Sequence, residues 1–180
     1  MGSTRTKVLI VDGYNVIRKD PVYSSLIDED DPAIIDVFAR AREKLIDDVA
    51  GFAYGEFRAY IVFDAAGNVN SERTETVRGG VDVIFSPTGV EADSVIERLA
   101  REARADDRDV FVVTDDAATQ WTVYSEGVTR MSVRMFSGEV NISADDWEEH
   151  SVPPSRSTLG ARIDPEVAAR LARFARGGNG

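Results

Sequence analysis

Apolar positions along the chain fall into short continuous runs, and the stretches between them repeat at helical spacing. Val8-Leu9-Ile10-Val11 runs without a break into Asp12, as expected of a strand buried on both faces of a parallel sheet. Arg58 to Phe63 predicts a second strand that stops at Asp64, and Val81 to Phe85 a third. Val110-Phe111-Val112-Val113 predicts a fourth, within 109–114, followed at once by Asp115-Asp116. Ile34, Ile35, Phe38, Leu45, Ile46 and Val49 recur with the period of one helix face, so a helix is predicted over 32–50. Asp31 would cap it, Pro32 suits its first position, and Gly51 to Glu56 ends it. A second helix is predicted over 91–105 and a third from Ala117 to Tyr124, closed by Gly127. Beyond it the pattern predicts a short strand near 129–131, a helix capped by Ser132 and a last acidic turn capped by Ser143. Strands alternating with helices indicate an α/β domain with a mostly parallel sheet.

Two connections stand out. Residues 18–31 are polar and turn-rich, and 65–80 form a long small-residue loop that carries Arg73 and Arg78. Gly13, directly after the first strand, lets the backbone turn and another group approach closely. Val152 to Gly160 is rich in Pro and Ser and reads as a linker. The expected division is a domain over 1–152 and, over 153–180, a linker with a basic helix. That helix opens at Asp164-Pro165, and Arg156 to Gly180 holds five arginines against two acids.

Composition narrows the chemistry. No cysteine is present, which excludes disulfides, thiolate zinc sites and cysteine nucleophiles. The single histidine, His150, lies far from the strand ends, so Ser-His-Asp catalysis and histidine-rich metal sites are not expected. No apolar run spans a bilayer and no hydrophobic signal segment precedes the first strand, so a cytoplasmic protein with no membrane partner is expected. The formal charge of −11 opposes nucleic-acid binding on average. A site built of carboxylates around a cation would reverse that sign locally.

The carboxylates supply such a site. Asp12, Asp64 and Asp115-Asp116 each follow an apolar strand, and in a parallel sheet they share one edge. Glu91 and Asp93 start the helix that leaves from the same edge. Singly, each has a bland reading: an aspartate after a strand commonly forms a turn or caps a helix, and Glu91 could serve the helix dipole alone. Together they would repel one another unless a cation joined them, and Mg²⁺ or Mn²⁺ suits oxygen donors. Phosphate loops of the G-x-x-x-x-G-K-[ST] and G-x-G-x-x-G kinds are absent. Tyr14 occupies the place where a dehalogenase-like phosphatase needs its second aspartate.

Four blocks in order, Asp12-Gly13-Tyr14-Asn15-Val16-Ile17, Phe63-Asp64, Thr88 to Glu97, and Val112 to Asp116 with Gln120, resemble the YacP-type NYN domains of the PIN-like nuclease superfamily. The resemblance covers nearly the whole chain. It implies a PIN-like three-layer α/β/α sandwich, Mg²⁺- or Mn²⁺-dependent cleavage of RNA, and a link to mRNA on ribosomes. Carried over by position, Asp12, Asn15, Asp93 and Asp116 match the family's metal-site residues, with Asp12, Asp93 and Asp116 as ligands. Asp64 and Glu91 match flanking acids. Two departures are visible: Asp115 stands where the family usually has serine, and Ala65 where it commonly has glycine.

The resulting expectation is a metal-dependent endoribonuclease. Asp12, Asn15, Asp64, Glu91, Asp93 and Asp116 form its site, and Arg73, Arg78, Arg162, Arg170, Arg173 and Arg176 are candidate RNA contacts. The alternative is a PIN-like module that binds RNA, a ribosome or a protein with weak or absent catalysis, the negative charge suiting a basic protein partner. A phosphatase acting on a small nucleotide is a third reading.

Overall fold

Side chains alternate across every central strand, and this alternation builds two cores. A computed structural model describes residues 7–65, 75–116 and 127–141. Its elements run β1 (Lys7–Asp12), α1 (Gly13–Lys19), α2 (Pro21–Ser24), α3 (Ala39–Ala53), β2 (Phe57–Phe63), β3 (Glu75–Arg78), β4 (Val81–Phe85), α4 (Ala92–Ala105), β5 (Val110–Val113) and β6 (Val128–Met131), followed by a helix over 133–141. Leu9, Val11, Ala59, Ile61 and Phe63 point to one face and pack with α1 to α3 and with Val133, Phe136 and Val140. Val8, Ile10, Val62, Val110 and Val112 point to the other, where Val95, Ile96 and Ala100 of α4 cover them. The result is the expected three-layer sandwich.

The six strands lie in the order β3-β4-β2-β1-β5-β6. All neighbours are parallel except β3 and β4. From β1 the chain builds outward through β2 and β4, then returns over the sheet in α4 to place β5 on β1's other side. The order therefore reverses between β1 and β5, and crevices at such switch points open outside the carboxyl ends of the strands. Val11 pairs with Val113 in that register, so Asp12 and Thr114 leave the sheet side by side.

Three elements differ from the sequence expectation. A helix begins at Gly13, immediately after β1, because Asp12 caps it: its Oδ1 accepts the Asn15 N–H at 3.3 Å. The β-branched Val16 and Ile17 hide this helix from a periodicity argument, yet both are fully buried on it. The predicted helix over 32–50 starts only at Ala39 and runs on through Gly51 to Ala53. Asp31 does hold a local turn, through the Ala33 N–H at 2.9 Å, but Asp36 then captures the Phe38 N–H at 3.3 Å and pairs with Arg42. Such local side-chain bonds compete with the helix ladder, and Ile35 is left 81% exposed. The 65–80 connection contains edge strand β3, whose Arg78 pairs with Val81 at the start of β4. Ser132 caps the helix over 133–141 as predicted, accepting the Met135 N–H at 3.2 Å.

The chain divides into a unit through Ala144 and a second from Asp145, and every described residue belongs to the first. Arg73, Gln120, the predicted 117–124 helix, the Ser143 turn, His150, the linker and the tail arginines Arg162, Arg170, Arg173 and Arg176 lie outside the described residues. Among the described residues no helix is long and apolar enough to cross a membrane.

Candidate active site

Asp12 is the centre of the strand-tip edge. It is 8% exposed, and both carboxylate oxygens are engaged: Oδ1 with the Asn15 N–H, Oδ2 with the Thr114 hydroxyl at 3.2 Å. The capping role and the site role thus fall on one residue. A carboxylate offers about four lone-pair positions, so two donors leave room for more. Burial above all, helped by the charges of Asp93 and Asp116 and opposed by the two hydrogen bonds, pushes the Asp12 carboxyl up to about 6.

All five separate acidic positions meet in one cleft of about 690 Å³, lined by Asp12, Asp64, Glu91, Asp93 and Asp116 together with Asn15. Each arrives by a different route. Asp64 follows β2, with Phe63 paired to Phe85 of β4. The buried Ser86 ties those two strand ends together, its N–H donating to the Phe63 carbonyl at 2.8 Å and its hydroxyl accepting the Ala65 N–H at 3.0 Å. Glu91 precedes α4 without a side-chain capping bond, and Asp93 lies in the first turn, where the helix dipole favours a negative charge. Asp116 leaves β5 with its N–H on the Thr114 hydroxyl at 3.1 Å.

Asp115 does something else. Its carboxylate faces Arg130 at 3.4 Å and accepts the Val133 N–H at 3.3 Å, so it joins the β5 end to β6 and the following helix. Asp116, not Asp115, lines the cleft. Asn15 is also committed: its side-chain oxygen accepts the Asp115 N–H at 2.8 Å, so it holds the β5 tip against α1.

Gly13 is required by close approach, since a Cβ there would overlap the ring of Phe63. Phe63 packs on Tyr14 with ring centroids 5.0 Å apart, and Phe38 meets the other side of Tyr14 at 5.0 Å. Arg42 donates to the Tyr14 hydroxyl at 3.1 Å, and burial pushes the phenol up, so it stays neutral. Tyr14 is 5% exposed and serves as a packing residue under the cleft.

Three contributors escaped the sequence reading. Thr114, 1% exposed, was read only as the end of a strand. Arg18 and Lys19 line the cleft from the last turn of α1. Their signal was Asp12 as a helix-capping residue, which starts the helix that carries them. Arg78, by contrast, stands at the opposite end of the sheet from the strand tips and is ion-paired with Glu43 at 2.5 Å.

The donor set fits a hard, hydrated cation. It consists of oxygens, and Mg²⁺ commonly takes only one or two carboxylates while keeping several waters. It does not form a closed cage: among the described residues no three acidic side chains come together closely enough to grip one ion. The expected convergence of Asp12, Asp93 and Asp116 is thus a convergence on one cleft. Three ionised carboxylates brought closer would repel one another.

Comparison with known proteins agrees with this architecture. The family model of the YacP-like NYN domain matches residues 9–176. The chain belongs to the YacP-like NYN domain family. It is 33% identical over 134 residues to the YacP protein of Bacillus subtilis strain 168, covering 74% of each chain. The crystal structure of Rae1 (YacP) from Bacillus subtilis superposes with a TM-score of 0.69 at 29% identity, covering 94% of this chain and 95% of that one. A tryptophan-to-leucine variant of the same protein gives 0.64 at 30% identity over 80% of each chain. The family carries a nuclease-like fold, and its match spans every acidic residue of the cleft.

Proposed function

We propose that this protein is a divalent-metal-dependent endoribonuclease of the cytoplasm that cleaves RNA phosphodiester bonds, with mRNA in a ribosome-linked context as its substrate. The supporting observation is that acids from three separate chain regions, Asp12, Asp93 and Asp116, border one cleft, and that the charges of Asp93 and Asp116 act on the buried carboxyl of Asp12. Mg²⁺ or Mn²⁺ would be held among these three, directly by one or two of the carboxylates and otherwise through its waters. Such an ion, when bound, activates a water and stabilises charge on a phosphoryl oxygen. The chain's own part is placement. Thr114 and the α1 backbone orient Asp12, Asn15 anchors the turn that carries Asp116, and the Ser86 bonds set the turn of Asp64. Asp64 and Glu91 add negative charge at the rim and support waters.

The test is cleavage of a single-stranded RNA by purified protein with Mg²⁺, Mn²⁺ or EDTA, beside Asp12→Asn, Asp93→Asn and Asp116→Asn. Metal-dependent cleavage lost in all three variants is expected. Cleavage that persists in EDTA, or in all three variants, would overturn the reading. The rival, a binding module without turnover, draws on the open spacing of the acids. RNA or ribosome binding by a protein that cleaves nothing under any metal condition would select it.

A further inference from the structure

The cleft is not uniformly acidic. Arg18 and Lys19 line it together with the carboxylates, and among the described residues neither is ion-paired with a carboxylate. Arg40, Arg42, Arg58, Arg78 and Arg130 all have acidic partners. The bland account of basic residues in a last helical turn is interaction with the helix dipole, which is weak at an exposed position. That account explains the sign of the charge at α1's end. It does not explain why Arg18 is held in place.

Arg18 lies over two rings at once, its guanidinium 5.7 Å from the centroid of Tyr14 and 5.5 Å from that of Phe38. Tyr14 is itself fixed between Phe38 and Phe63 and by Arg42. A planar cation on an immobile aromatic platform has lost much of its rotamer freedom before any ligand arrives. Its fork of N–H donors suits a phosphate through two parallel bonds, whereas lysine offers a point charge.

The geometry points to Arg18, assisted by Lys19, as a subsite for a non-bridging phosphate of single-stranded RNA, one flanking the bond to be cut. This rests on the endoribonuclease reading for the identity of the ligand. A phosphate that follows the acid wall must be neutralised from another side, and α1 supplies the described cations that face it. The consequence is a preference for a chain over a mononucleotide: a substrate with one phosphate cannot occupy the acidic side and the Arg18 side together.

Binding and cleavage are measured separately. Fluorescence anisotropy of a labelled 2′-O-methyl RNA oligonucleotide, which resists cleavage, is followed against salt for the full chain, Arg18→Ala, Arg18→Lys, Lys19→Ala and the distant control Arg58→Ala. Arg18→Ala should weaken binding about tenfold and flatten the salt slope by about 0.7, the value for one single-strand phosphate. Arg18→Lys should recover the slope but only part of the affinity, because the fork and the stacking are lost. Arg58→Ala should change neither. With cleavable RNA, Arg18→Ala should raise KM and leave kcat within a few-fold. If Arg18→Ala binds with the parent's affinity and slope, or if the parent does not bind the oligonucleotide, the subsite is overturned. Failure of the nuclease reading shows separately, as intact RNA in the cleavage assay even where Arg18-dependent binding is present.

Discussion

The Thr114 hydroxyl donates to the Asp12 carboxylate at 3.2 Å and accepts the Asp116 N–H at 3.1 Å, so one buried oxygen joins two candidate metal ligands, one ending β1 and one in the turn after β5. Thr114→Val keeps the shape and removes both bonds. Loss of a buried hydrogen-bond partner costs about 1–3 kcal/mol. Thr114→Val should therefore lower stability by about that amount in denaturant titration and reduce RNA cleavage at least tenfold. Thr114→Ser should restore most of both. Equal activity in Val and Ser variants would show that Thr114 only fills space.

Asp115 and Asp116 should separate cleanly. Asp115 is bound to Arg130 and caps the helix over 133–141 at Val133, while Asp116 faces the cleft. Asp115→Ser, which restores the usual family residue, should keep cleavage and cost at most about 1 kcal/mol, the typical value of a cap. Asp116→Asn should abolish cleavage with little change in stability. The reverse pattern in a paired activity and unfolding measurement would exchange the two roles.

Stability without metal should fall as pH rises. The Asp12 carboxyl is raised from an ordinary 3.8 to about 6, so the folded protein holds this proton more tightly than the unfolded chain. The contribution is fully present below about pH 4 and is lost as pH rises through about 6; the difference amounts to about 3 kcal/mol. Asp12→Asn is neutral at every pH and remains a good helix cap. In EDTA, the parent should lose about 3 kcal/mol relative to Asp12→Asn between pH 4 and 7. Millimolar Mg²⁺ or Mn²⁺ at pH 7 should raise the parent's Tm through mass action and leave Asp12→Asn unmoved. Parallel pH profiles, or a metal-insensitive Tm, would contradict the buried-carboxylate account.

Gly13→Ala should damage the fold at the site's base. The added methyl meets the Phe63 ring, which is itself fully buried and packed on Tyr14 and Phe85. Overpacking of this kind costs about 1–3 kcal/mol. Thermal unfolding and near-ultraviolet circular dichroism check this, and an unchanged Tm would mean that the ring can yield.

The strand runs were legible because an apolar run ending in an aspartate is a local pattern: four buried strands and their mostly parallel direction follow from period and alternation, and a parallel sheet then puts Asp12, Asp64, Asp93 and Asp116 at one edge. The helix after Glu91 and the helix capped by Ser132 were legible for the same reason. What depended on contacts distant in sequence was not. The apolar pattern alone does not choose between Asp115 and Asp116; the family resemblance points to Asp116, and the physical reason is that Arg130 and the Val133 N–H reach Asp115 once β6 is laid beside β5. The place of Arg78 turns on β3 pairing antiparallel, which carries it to the sheet's far end and onto Glu43. The start of α3 turns on Asp36 choosing Arg42 and the Phe38 N–H over a longer helix. Arg18 and Lys19 reach the cleft because Asp12 spends one oxygen capping α1, and only the sheet's register puts the Thr114 hydroxyl on the other. Sequence patterns report which face of an element is apolar; the partner of a polar side chain is settled by the assembled strands, where burial makes an unpaired group costly.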